Sequence, residues 1–585
     1  MRTMELLETD AGQAVVLRAD ERPLFGIHNG PRGPVQRSVG IVLCNPVGYE
    51  SLSVYRTYRH MAEALAQSGF HVLRFDYHGT GNSGGPCSAA GPCADDVGAA
   101  IDELKARTGV HSVCLIGLRA GALFALTAAA SRADVASLVL WAMPASGRAH
   151  IRELVAFQRL SGEPSEGPEV RIAGFLLSDA MLSELRGIDP AVLVSSGQPL
   201  SILALRRDDM EGDDKVADGW RAAGHQVVST AAPGYVEMMT LTEFSVVPAP
   251  AISLVCDWAT RVHDSVEPLR RLSDSPSTGP WLRADTDVLE CGVRFGPNER
   301  LFGVLSMPRT TPNRAPNAAV VITNTGANHH IGTGRSSVKL ARSLAQRGVT
   351  VLRFDASGIG ESHASSGRNE NHLYSDDAAF NVSEALRYLQ AQQRSEAFVL
   401  VGLCAGAYMA LRSALVEPRV VGQVLVNLTI FEPTAAAAYQ SGSFKARKVY
   451  RDALFDPKMW RRLFAGRVAV VPIARHLLKQ AVRQLTAVTR SRVDAIFRPG
   501  ATTDPVERDF RALGRRGTRT LMVHGSEDAS LDALAIVLGE QAERIRDDPH
   551  FGLQLVSDAD HVFTRALAQR QLHASVEAFV MDIAF

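Results

Sequence analysis

The sequence predicts an α/β fold built twice along one chain, each copy a mostly parallel sheet flanked by helices. Short runs rich in Val, Ile and Leu, such as Val39–Cys44 and Val349–Asp355, alternate with helix-forming segments. Strands that alternate with helices pair in parallel sheets, and near-continuous apolar runs suit strands buried on both faces. In addition, landmark residues of the first half recur in the second half at nearly constant spacing, which indicates a repeat.

The repeated landmarks define the domains. They are the pairs Asp76 and Asp355, Ser83 and Ser362, and Gly117 and Gly402. Their spacing predicts a tandem duplication, with a first domain at residues 1–266 and a second domain at residues 285–585. Residues 267–284 are rich in Pro, Ser and Thr, so we place a linker there.

The composition excludes several classes of function. The 62 Lys and Arg residues equal the 62 Asp and Glu residues in number, so no overall charge favours nucleic acid. The N-terminus carries acids where a secretory signal needs an apolar core, and no apolar run reaches the roughly 18 residues of a membrane span. Seven scattered cysteines indicate reduced thiols in a cytoplasmic protein. Cys87 and Cys93 share a loop without further ligands at metal spacing, so we predict no metal or cofactor.

The segment Gly402-Leu-Cys-Ala-Gly406 carries the strongest chemical signal. It joins an apolar run to a helix-forming segment. Small residues on either side of the tip let strand and helix pack closely, while the tip residue, Cys404, is held in a strained conformation. A helix N-terminus also favours a thiolate. We therefore predict Cys404 as a nucleophile; the alternative is a buried structural cysteine.

These motifs resemble the α/β-hydrolase superfamily. The likeness rests first on the strand–turn–helix unit around Cys404, whose sharp turn is called the nucleophile elbow. It also rests on the turn Arg-x-Asp-x-x-Gly-x-Gly-x-Ser that both halves carry upstream of the elbow, and on a late acid followed by a histidine. It covers nearly the whole chain and implies two tandem α/β-hydrolase folds. More loosely, both halves are similar to paired hydrolases found with exopolysaccharide and natural-product gene clusters.

The resemblance implies a set of site residues in the second half. Asp528 corresponds to the triad acid, with Glu527 as the alternative, and His561 corresponds to the base. His524 precedes Gly525 at a strand end, and we interpret it as a residue without a catalytic role. The expected oxyanion-hole donors are the N–H groups of Ala405 and of Gly326 or Ala327. His329 is expected to border the mouth of the active site.

The first half lacks the reactive residues. Arg119 occupies the elbow position there, and an arginine stays protonated and cannot act as a nucleophile. No histidine follows the late strand, so this half is predicted to be a degenerate hydrolase domain. A buried arginine needs an anionic partner, for which Asp208, Asp209 and Glu237 are the candidates. Alternatively, Arg119 binds a carboxylate or phosphate of the substrate.

Residues 431–499 form a basic insertion where the superfamily places its cap, and the sequence predicts helices there. The cations include Arg461 and Arg462. The segment is either a solvated amphipathic helix or a docking surface for an acidic acyl carrier protein or for the phosphates of CoA or phosphopantetheine.

Together these features predict a cysteine-dependent thioesterase or acyltransferase that acts through an acyl-enzyme on Cys404, with thioesters or activated esters as substrates. The looser resemblance sets it in natural-product or exopolysaccharide biosynthesis. An alternative is a dienelactone-hydrolase-like or esterase activity. A hypothesis of another class is a non-catalytic scaffold or binding protein, which requires Cys404 to be inert.

Overall fold

The computed structural model describes residues 12–17, 22–32, 35–89, 91–160, 170–193, 199–210, 214–268, 281–310, 316–393, 395–433, 505–531, 533–534, 545 and 547–585. The basic insertion predicted at residues 431–499, with Arg461 and Arg462, lies almost wholly outside these residues, so the cap and its helices stay a prediction.

The first half contains an eight-stranded sheet. Its strands are β1 (Gln13–Leu17), β2 (Leu24–Asn29), β4 (Val39–Cys44), β5 (Val72–Phe75), β6 (Ser112–Leu118), β7 (Val135–Trp141), β10 (Ser201–Arg207) and β11 (Gln226–Ala232). Two small sheets pair β3 (Val35–Arg37) with β12 (Val266–Pro268), and β8 (Val170–Ile172) with β9 (Phe175–Leu177). The helices are α1 (Glu50–Gln67), α2 (Cys93–Thr108), α3 (Ala120–Ala130), α4 (Gly147–Leu160), α5 (Asp179–Gly187), α6 (Pro190–Leu193), α7 (Lys215–Ala222), α8 (Tyr235–Met238) and α9 (Ala249–Val262).

The second half contains a nine-stranded sheet. Its strands are β13 (Trp281–Asp285), β14 (Val288–Phe295), β15 (Leu301–Pro308), β16 (Ala318–Ile322), β17 (Val351–Asp355), β18 (Ala397–Leu403), β19 (Val420–Val426), β20 (Arg519–Gly525) and β21 (Phe551–Val556). The described helices are α10 (Ser336–Gln346), α11 (Ala378–Gln393), α12 (Ala405–Val416), the helix Pro505–Arg515 and the C-terminal helix Ala566–Ala584.

Both sheets follow one strand order. The first runs β1-β2-β5-β4-β6-β7-β10-β11, and the second runs β14-β15-β17-β16-β18-β19-β20-β21 with β13 added at its edge. In each sheet the strands from the third position onward are parallel, whereas the entry strands are antiparallel. The predicted fold class, two mostly parallel sheets flanked by helices, is confirmed. The antiparallel entry strands are additions that the sequence analysis did not predict.

Each sheet is buried on both faces. In β4, Val42 belongs to one apolar cluster and its neighbour Ile41 to another on the opposite face. In β18, Leu400 and Val399 divide between two clusters in the same way. Successive side chains of a strand point to opposite faces, so helices must cover both sides. This burial explains the near-continuous apolar runs of the central strands.

The repeated turn after the central strand has the same hydrogen bonds in both halves. In the first half, Ser83 Oγ donates to the Asp76 carbonyl oxygen at 2.5 Å, and the Asp76 carboxylate accepts from the N–H of Asn82 at 2.8 Å. In the second half, Ser362 Oγ donates to the Asp355 carbonyl oxygen at 2.6 Å, and the Asp355 carboxylate accepts from the N–H of Glu361 at 2.9 Å. These aspartates and serines therefore fix a turn.

The two halves pack together through a buried interface. Apolar side chains of β2 and β15 form a shared cluster of Phe25, Ile27, Phe302 and Val304. Around it, Arg74 of the first half donates to both carboxylate oxygens of Glu361, at 2.7 and 2.9 Å. Such fork-shaped charged hydrogen bonds fix relative orientation as well as adding attraction. The halves are thus held in one defined arrangement.

The strand boundaries make the linker shorter than the sequence predicts. β12 extends the first half to Pro268, and β13 begins at Trp281, inside the range assigned to the linker. Trp281 pairs with Cys291 in the second sheet. Residues 281–284 therefore form the edge of the second domain's sheet.

Candidate active site

Cys404 lies at a sharp turn between β18 and α12. Its backbone has φ 57° and ψ −115°, which non-glycine residues rarely adopt. A Cβ on Gly402 would lie 2.1 Å from the Gly406 carbonyl oxygen, and one on Gly406 would lie 2.2 Å from the Asn324 carbonyl oxygen. Both positions thus need glycine. The N–H of Cys404 donates to Val426 at 2.9 Å, which ties the turn to β19.

α12 is a favourable helix for this position. Its sequence is rich in Ala and Leu, which have high helix propensity. The helix ends at Val416, because Glu417 is extended (φ −109°, ψ 103°) before a proline, where the helical conformation is disfavoured. The N-terminus of α12 therefore points its free N–H groups at the elbow.

His561 and Asp528 meet as the sequence predicts. The carboxylate Oδ2 of Asp528 lies 2.7 Å from Nδ1 of His561. Asp528 is largely buried, whereas 43% of the His561 side chain is exposed. Burial alone would raise the pKa of Asp528, but the hydrogen bond to His561 outweighs it and lowers that pKa to about 2. Glu527, the alternative acid, instead pairs with Arg565 at 3.0 Å.

Cys404 lies on the other side of His561. Burial lowers the pKa of His561, yet hydrogen bonds to Asp528 and Cys404 and the attraction of both groups outweigh it and raise the pKa to about 10. The Asp528 carboxylate and the Cys404 sulfur thus both favour the charged form of the imidazole. Tyr374 places its hydroxyl 3.7 Å from Cys404 Sγ.

Asn427 is a site residue that the sequence analysis missed. It follows β19, is fully buried and has φ 46°. Its side-chain amide donates to the His561 carbonyl at 2.8 Å, and its side-chain oxygen accepts from the N–H of Gly525 at 2.9 Å. It therefore joins the loop of His561 to the loop of Asp528. A polar residue directly after a buried strand was the available signal.

His524 lies behind the site. It is buried, and its Nδ1 lies 2.8 Å from the hydroxyl of Ser530. Burial lowers its pKa to about 4, so it is neutral at physiological pH. The N–H of Ser530 donates to Asp528 Oδ1 at 2.8 Å, so His524 lies next to the residues that hold the acid loop.

The loop after β16 forms a tight turn beside the elbow. The N–H of Asn328 donates to the Thr325 carbonyl at 3.0 Å, so Gly326 and Ala327 occupy the centre of the turn. Gly326 has φ 55°, which favours glycine. Within the described part of the chain, the N–H groups of Gly326, Ala327 and Ala405 donate no hydrogen bond. We call residues 324–330 the oxyanion loop.

The two histidines of the oxyanion loop are buried. His330 is held by Asp355, through Nδ1 at 2.8 Å and through its N–H at 2.7 Å. His329 stacks on Tyr55 of the first half, with ring centroids 3.7 Å apart. Burial lowers the pKa of His329 to about 3. His329 thus lies in the interface between the halves, and the substrate contact that we expected of it stays a prediction.

A small, partly open pocket adjoins the elbow. It is bounded at one end by Gly326, Ala405 and Tyr374. Its walls are mostly apolar and include Ile359 and Met409.

Arg119 occupies the corresponding elbow of the first half. Its φ of 54° and ψ of −123° are nearly those of Cys404. Nε donates to Glu50 at 2.9 Å, Nη2 donates to Glu153, and Nη2 lies 3.3 Å from His150 Nδ1. Burial lowers the pKa of Arg119, but Glu50 and Glu153 outweigh it, so the pKa is raised and the guanidinium stays charged.

The expected partners of Arg119 were wrong. Asp208 accepts from the N–H of Gly234 at 2.7 Å, and Asp209 pairs with Arg207 at 2.7 Å. Glu237 is exposed and makes no ion pair within the described residues. The actual partners, Glu50 and Glu153, lie on α1 and α4, far from Arg119 in sequence. The expectation that a buried arginine has an acidic partner is nevertheless met.

Two family models match the chain. The model described as the alpha/beta hydrolase family matches residues 320–571, and the model described as serine aminopeptidase, S33, matches residues 51–164. The first match contains Cys404, Asp528 and His561, and the second contains Arg119. A search of curated proteins finds no match.

Solved structures with a related fold each cover about half of the chain. A hypothetical protein from Pseudomonas aeruginosa is 18% identical, with a TM-score of 0.32, over 54% of this chain and 99% of its own. Est1E from Butyrivibrio proteoclasticus, solved with ferulic acid, is 17% identical, with a TM-score of 0.35, over 43% of this chain and 100% of its own. An esterase from Pyrococcus furiosus is 16% identical, with a TM-score of 0.33, over 53% of this chain and 96% of its own.

The class follows from the strand order and the two family models: the chain contains two α/β-hydrolase folds in tandem. Among the described residues, no helix is long and apolar enough to cross a membrane, and no group of three His, Cys, Asp or Glu side chains is arranged to hold a metal ion.

Proposed function

We propose that the second half is a cysteine-dependent acyl-transfer enzyme, a thioesterase or acyltransferase, acting on thioesters or activated esters. The observation that carries the proposal is the chain of contacts from Asp528 through His561 to Cys404, with the cysteine at a strained elbow. A nucleophile, a base and a group that orients the base are the parts that covalent acyl transfer needs.

The first chemical step forms an acyl-enzyme. Because Asp528 holds Nδ1 of His561, Nε2 is left to take the proton from Cys404 Sγ. The thiolate attacks the carbonyl carbon, and a tetrahedral oxyanion forms. When the bond to the leaving group breaks, His561 returns the proton to the departing thiolate or alkoxide. The product is a thioester between the acyl group and Cys404.

The second step releases the acyl group. An acceptor (water, an alcohol or an amine) gives a proton to His561 and attacks the thioester carbonyl. The bond to Cys404 breaks, and His561 passes the acceptor's proton to the departing sulfur, which restores the starting thiol and the neutral imidazole. A cysteine suits this route, since its acyl-enzyme remains an activated thioester that can pass the acyl group on.

The oxyanion of both steps needs hydrogen-bond donors. The N–H of Ala405 at the start of α12 and the N–H groups of Gly326 and Ala327 are the proposed donors. They are backbone groups at a helix N-terminus and in a hydrogen-bonded turn, so they need little rearrangement as the charge develops. The positive end of the helix dipole acts in the same direction.

The proposed acyl group is small and mostly apolar, because the cavity beside Tyr374 and Ala405 is mostly apolar. The hypothesis that an acyl carrier protein or CoA delivers the acyl group depends only on the basic charge of residues 431–499. An esterase-like or dienelactone-hydrolase-like reaction uses the same steps with water as acceptor, and the pathway setting stays a prediction. A scaffold role requires that Cys404 be unreactive.

Turnover of a substrate panel tests the proposal. Aryl esters and acyl thioesters of two to eight or so carbons are offered to the wild type, Cys404→Ala and Cys404→Ser, with hydrolysis and transfer to added alcohols and amines both measured. Loss of a nucleophile costs on the order of 10⁵–10⁶-fold in turnover, so Cys404→Ala should be inactive, and Cys404→Ser should keep a trace. Full activity of Cys404→Ala would contradict the proposal.

The carrier hypothesis has its own test. Reversing Arg461 and Arg462 to Glu should raise KM for a carrier-bound or CoA thioester and weaken its salt dependence. A small uncharged thioester serves as the control, and its KM should be nearly unchanged. Equal losses on both substrates would contradict docking through this segment.

A further inference from the structure

The first half contacts successive residues of the oxyanion loop. We propose that this half, which has no nucleophile of its own, acts as a template that holds the oxyanion hole of the second half in its working geometry. The inference rests on the proposed function. Its positioning residues are Thr242 and Tyr55, neither of which belongs to the catalytic half.

Thr242 makes two contacts with the second half. Its hydroxyl donates to Oδ1 of Asn328 at 2.7 Å. Asn328 closes the turn that has Gly326 and Ala327 at its centre. A hydrogen bond to the side chain of Asn328 therefore restrains the turn that presents the proposed donors.

The carbonyl of Thr242 holds a second loop. It accepts from the side-chain amide of Asn371 at 2.7 Å. Asn371 and Tyr374 both have positive φ, of 56° and 57°, so this segment is a strained turn that its surroundings must stabilise. Tyr374 reaches to 3.7 Å from Cys404 Sγ. One residue of the first half thus touches loops on two sides of the elbow.

Aromatic and amide side chains hold the end of the oxyanion loop. Tyr55 stacks on His329, with planes 16° apart. Asn82 places its side-chain amide 3.0 Å from His330 Nε2 and accepts from Arg353 at 2.6 Å. The side chains of His329, His330 and Asn82 are buried and Tyr55 is partly buried, so the contacts limit the access of water to the back of the loop.

Glu243 bounds the front of the loop. A Cβ on Gly326 would lie 3.0 Å from Glu243 Oε1, so this carboxylate of the first half lies directly against the turn. The positive φ of Gly326 favours glycine at this position. Thr242 and Glu243 follow α8 in the region where the second half carries its catalytic histidine loop.

These contacts match what an oxyanion hole requires. Its donors act only if they are held where the charge will develop, and removing one donor costs about 10²–10³-fold in kcat. Asp355 of the second half holds His330 at the end of the loop. Residues 326–330 also lie against four side chains of the first half, those of Glu243, Thr242, Tyr55 and Asn82. The first half therefore contributes to catalysis by fixing the position of the oxyanion-hole donors.

The test uses the full chain with Thr242→Val, which removes the hydroxyl and keeps the shape and the backbone carbonyl. Three readouts separate the steps: kcat and KM with an aryl ester or thioester, Ki of a substrate-like aldehyde, and the rate at which iodoacetamide alkylates Cys404. The aldehyde forms a hemithioacetal whose oxyanion needs the hole, whereas alkylation needs only the thiolate.

Thr242→Val should lower kcat tenfold or more and raise Ki of the aldehyde in parallel, with KM and the alkylation rate nearly unchanged. Thr242→Ser keeps the hydroxyl and should restore kcat. Tyr55→Leu should act in the same direction as Thr242→Val. The control is Glu63→Gln, which alters an ion pair between the halves, to His363 at 3.2 Å, without touching the oxyanion loop; its kcat should stay within twofold of the wild type.

Wild-type kcat and Ki in Thr242→Val would overturn the template. So would an equal loss in kcat and in the alkylation rate, because that result means a general disturbance of the site. If the proposed function itself is wrong, the experiment gives a different result. The wild type would then be alkylated at Cys404 but would turn over no ester or thioester and bind no aldehyde.

Discussion

The two elbows of this chain have nearly the same backbone and opposite chemistry. Cys404 and Arg119 differ by only a few degrees in φ, and each is flanked by glycines that a Cβ would push into neighbouring backbone. The strained turn is therefore a property of the strand–helix packing and does not depend on a reactive side chain. A strained elbow alone does not identify an active site.

The surroundings of the elbows distinguish them. Cys404 faces His561 and Asp528, which can move and stabilise a proton. Arg119 faces Glu50 and Glu153, which use its charge to neutralise their own. We therefore expect the charges around Cys404 to serve catalysis and the charges around Arg119 to serve stability.

The largest expected effect is a loss of turnover when the residues around Cys404 in the second half are changed. His561→Ala should lower kcat by 10³-fold or more, because the thiol loses its base. Asp528→Asn should cost less, since the imidazole keeps its contact with Cys404 but loses the group that fixes its tautomer. Steady-state kinetics on one thioester check both. If Glu527→Gln proves more damaging than Asp528→Asn, the acid has been misassigned.

A second effect separates them by stability. Arg119→Ala should lower the free energy of unfolding by about 3–5 kcal/mol, because Glu50 is left buried without its partner. The folded fraction should keep its activity. Chemical denaturation followed by fluorescence measures the change.

The matched control is the double variant Arg119→Ala/Glu50→Gln, which removes both charges. It should recover much of the lost stability. Arg119→Ala with normal stability but impaired ligand binding would instead show that Arg119 holds a substrate anion.

Acid should weaken the second half through Glu290. This carboxylate is buried between Arg342 and Arg353, at 2.6 and 2.7 Å. Burial raises its pKa, but the two arginines outweigh this and lower the pKa from 4.5 to about 2. Because the folded pKa is below the unfolded one, the stabilisation is complete above pH 4.5 and is lost as the pH falls toward 2.

The expected loss is on the order of 3 kcal/mol, measured by denaturant unfolding at several pH values. In Glu290→Gln the curve should be flatter over the same range, although the protein is less stable at neutral pH. An unchanged slope in Glu290→Gln would assign the acid sensitivity to other carboxylates.

The smallest effect should be equal in the two halves. Ser83→Ala and Ser362→Ala each remove a hydroxyl that donates to an aspartate carbonyl and accepts from an N–H, of Phe25 at 2.9 Å or of Phe302 at 2.8 Å. Each should cost about 1–3 kcal/mol, because a buried N–H loses its partner. A much larger cost in one half would mean that the turns no longer have the same role.

The repeated fold could be predicted from sequence because its signals are local. Apolar runs mark the central strands, and the glycines of Gly402–Gly406 mark the elbow. The entry strands escaped prediction because they precede the repeated motifs and carry fewer continuous apolar residues, as in Gln13–Leu17. The order of Cys404, Asp528 and His561 along the chain was sufficient to predict that these three side chains lie together, while their catalytic roles stay a prediction.

Contacts between distant segments could not be predicted. Glu50 and Glu153 contact Arg119 from two helices, and no pattern in the sequence near Arg119 predicts these contacts. Thr242 and Tyr55 meet the oxyanion loop only because the two halves pack together. Those contacts depend on the tertiary arrangement and leave no periodic pattern in the sequence.

The central claim is that one elbow carries the chemistry and the other does not. Brief incubation with an acyl thioester, acid quenching, intact-protein mass measurement and peptide mapping test it directly. We predict one acyl group per chain, located on Cys404 and absent from Cys404→Ala. An acyl group within residues 1–266, or an undiminished acyl group in Cys404→Ala, would contradict the claim.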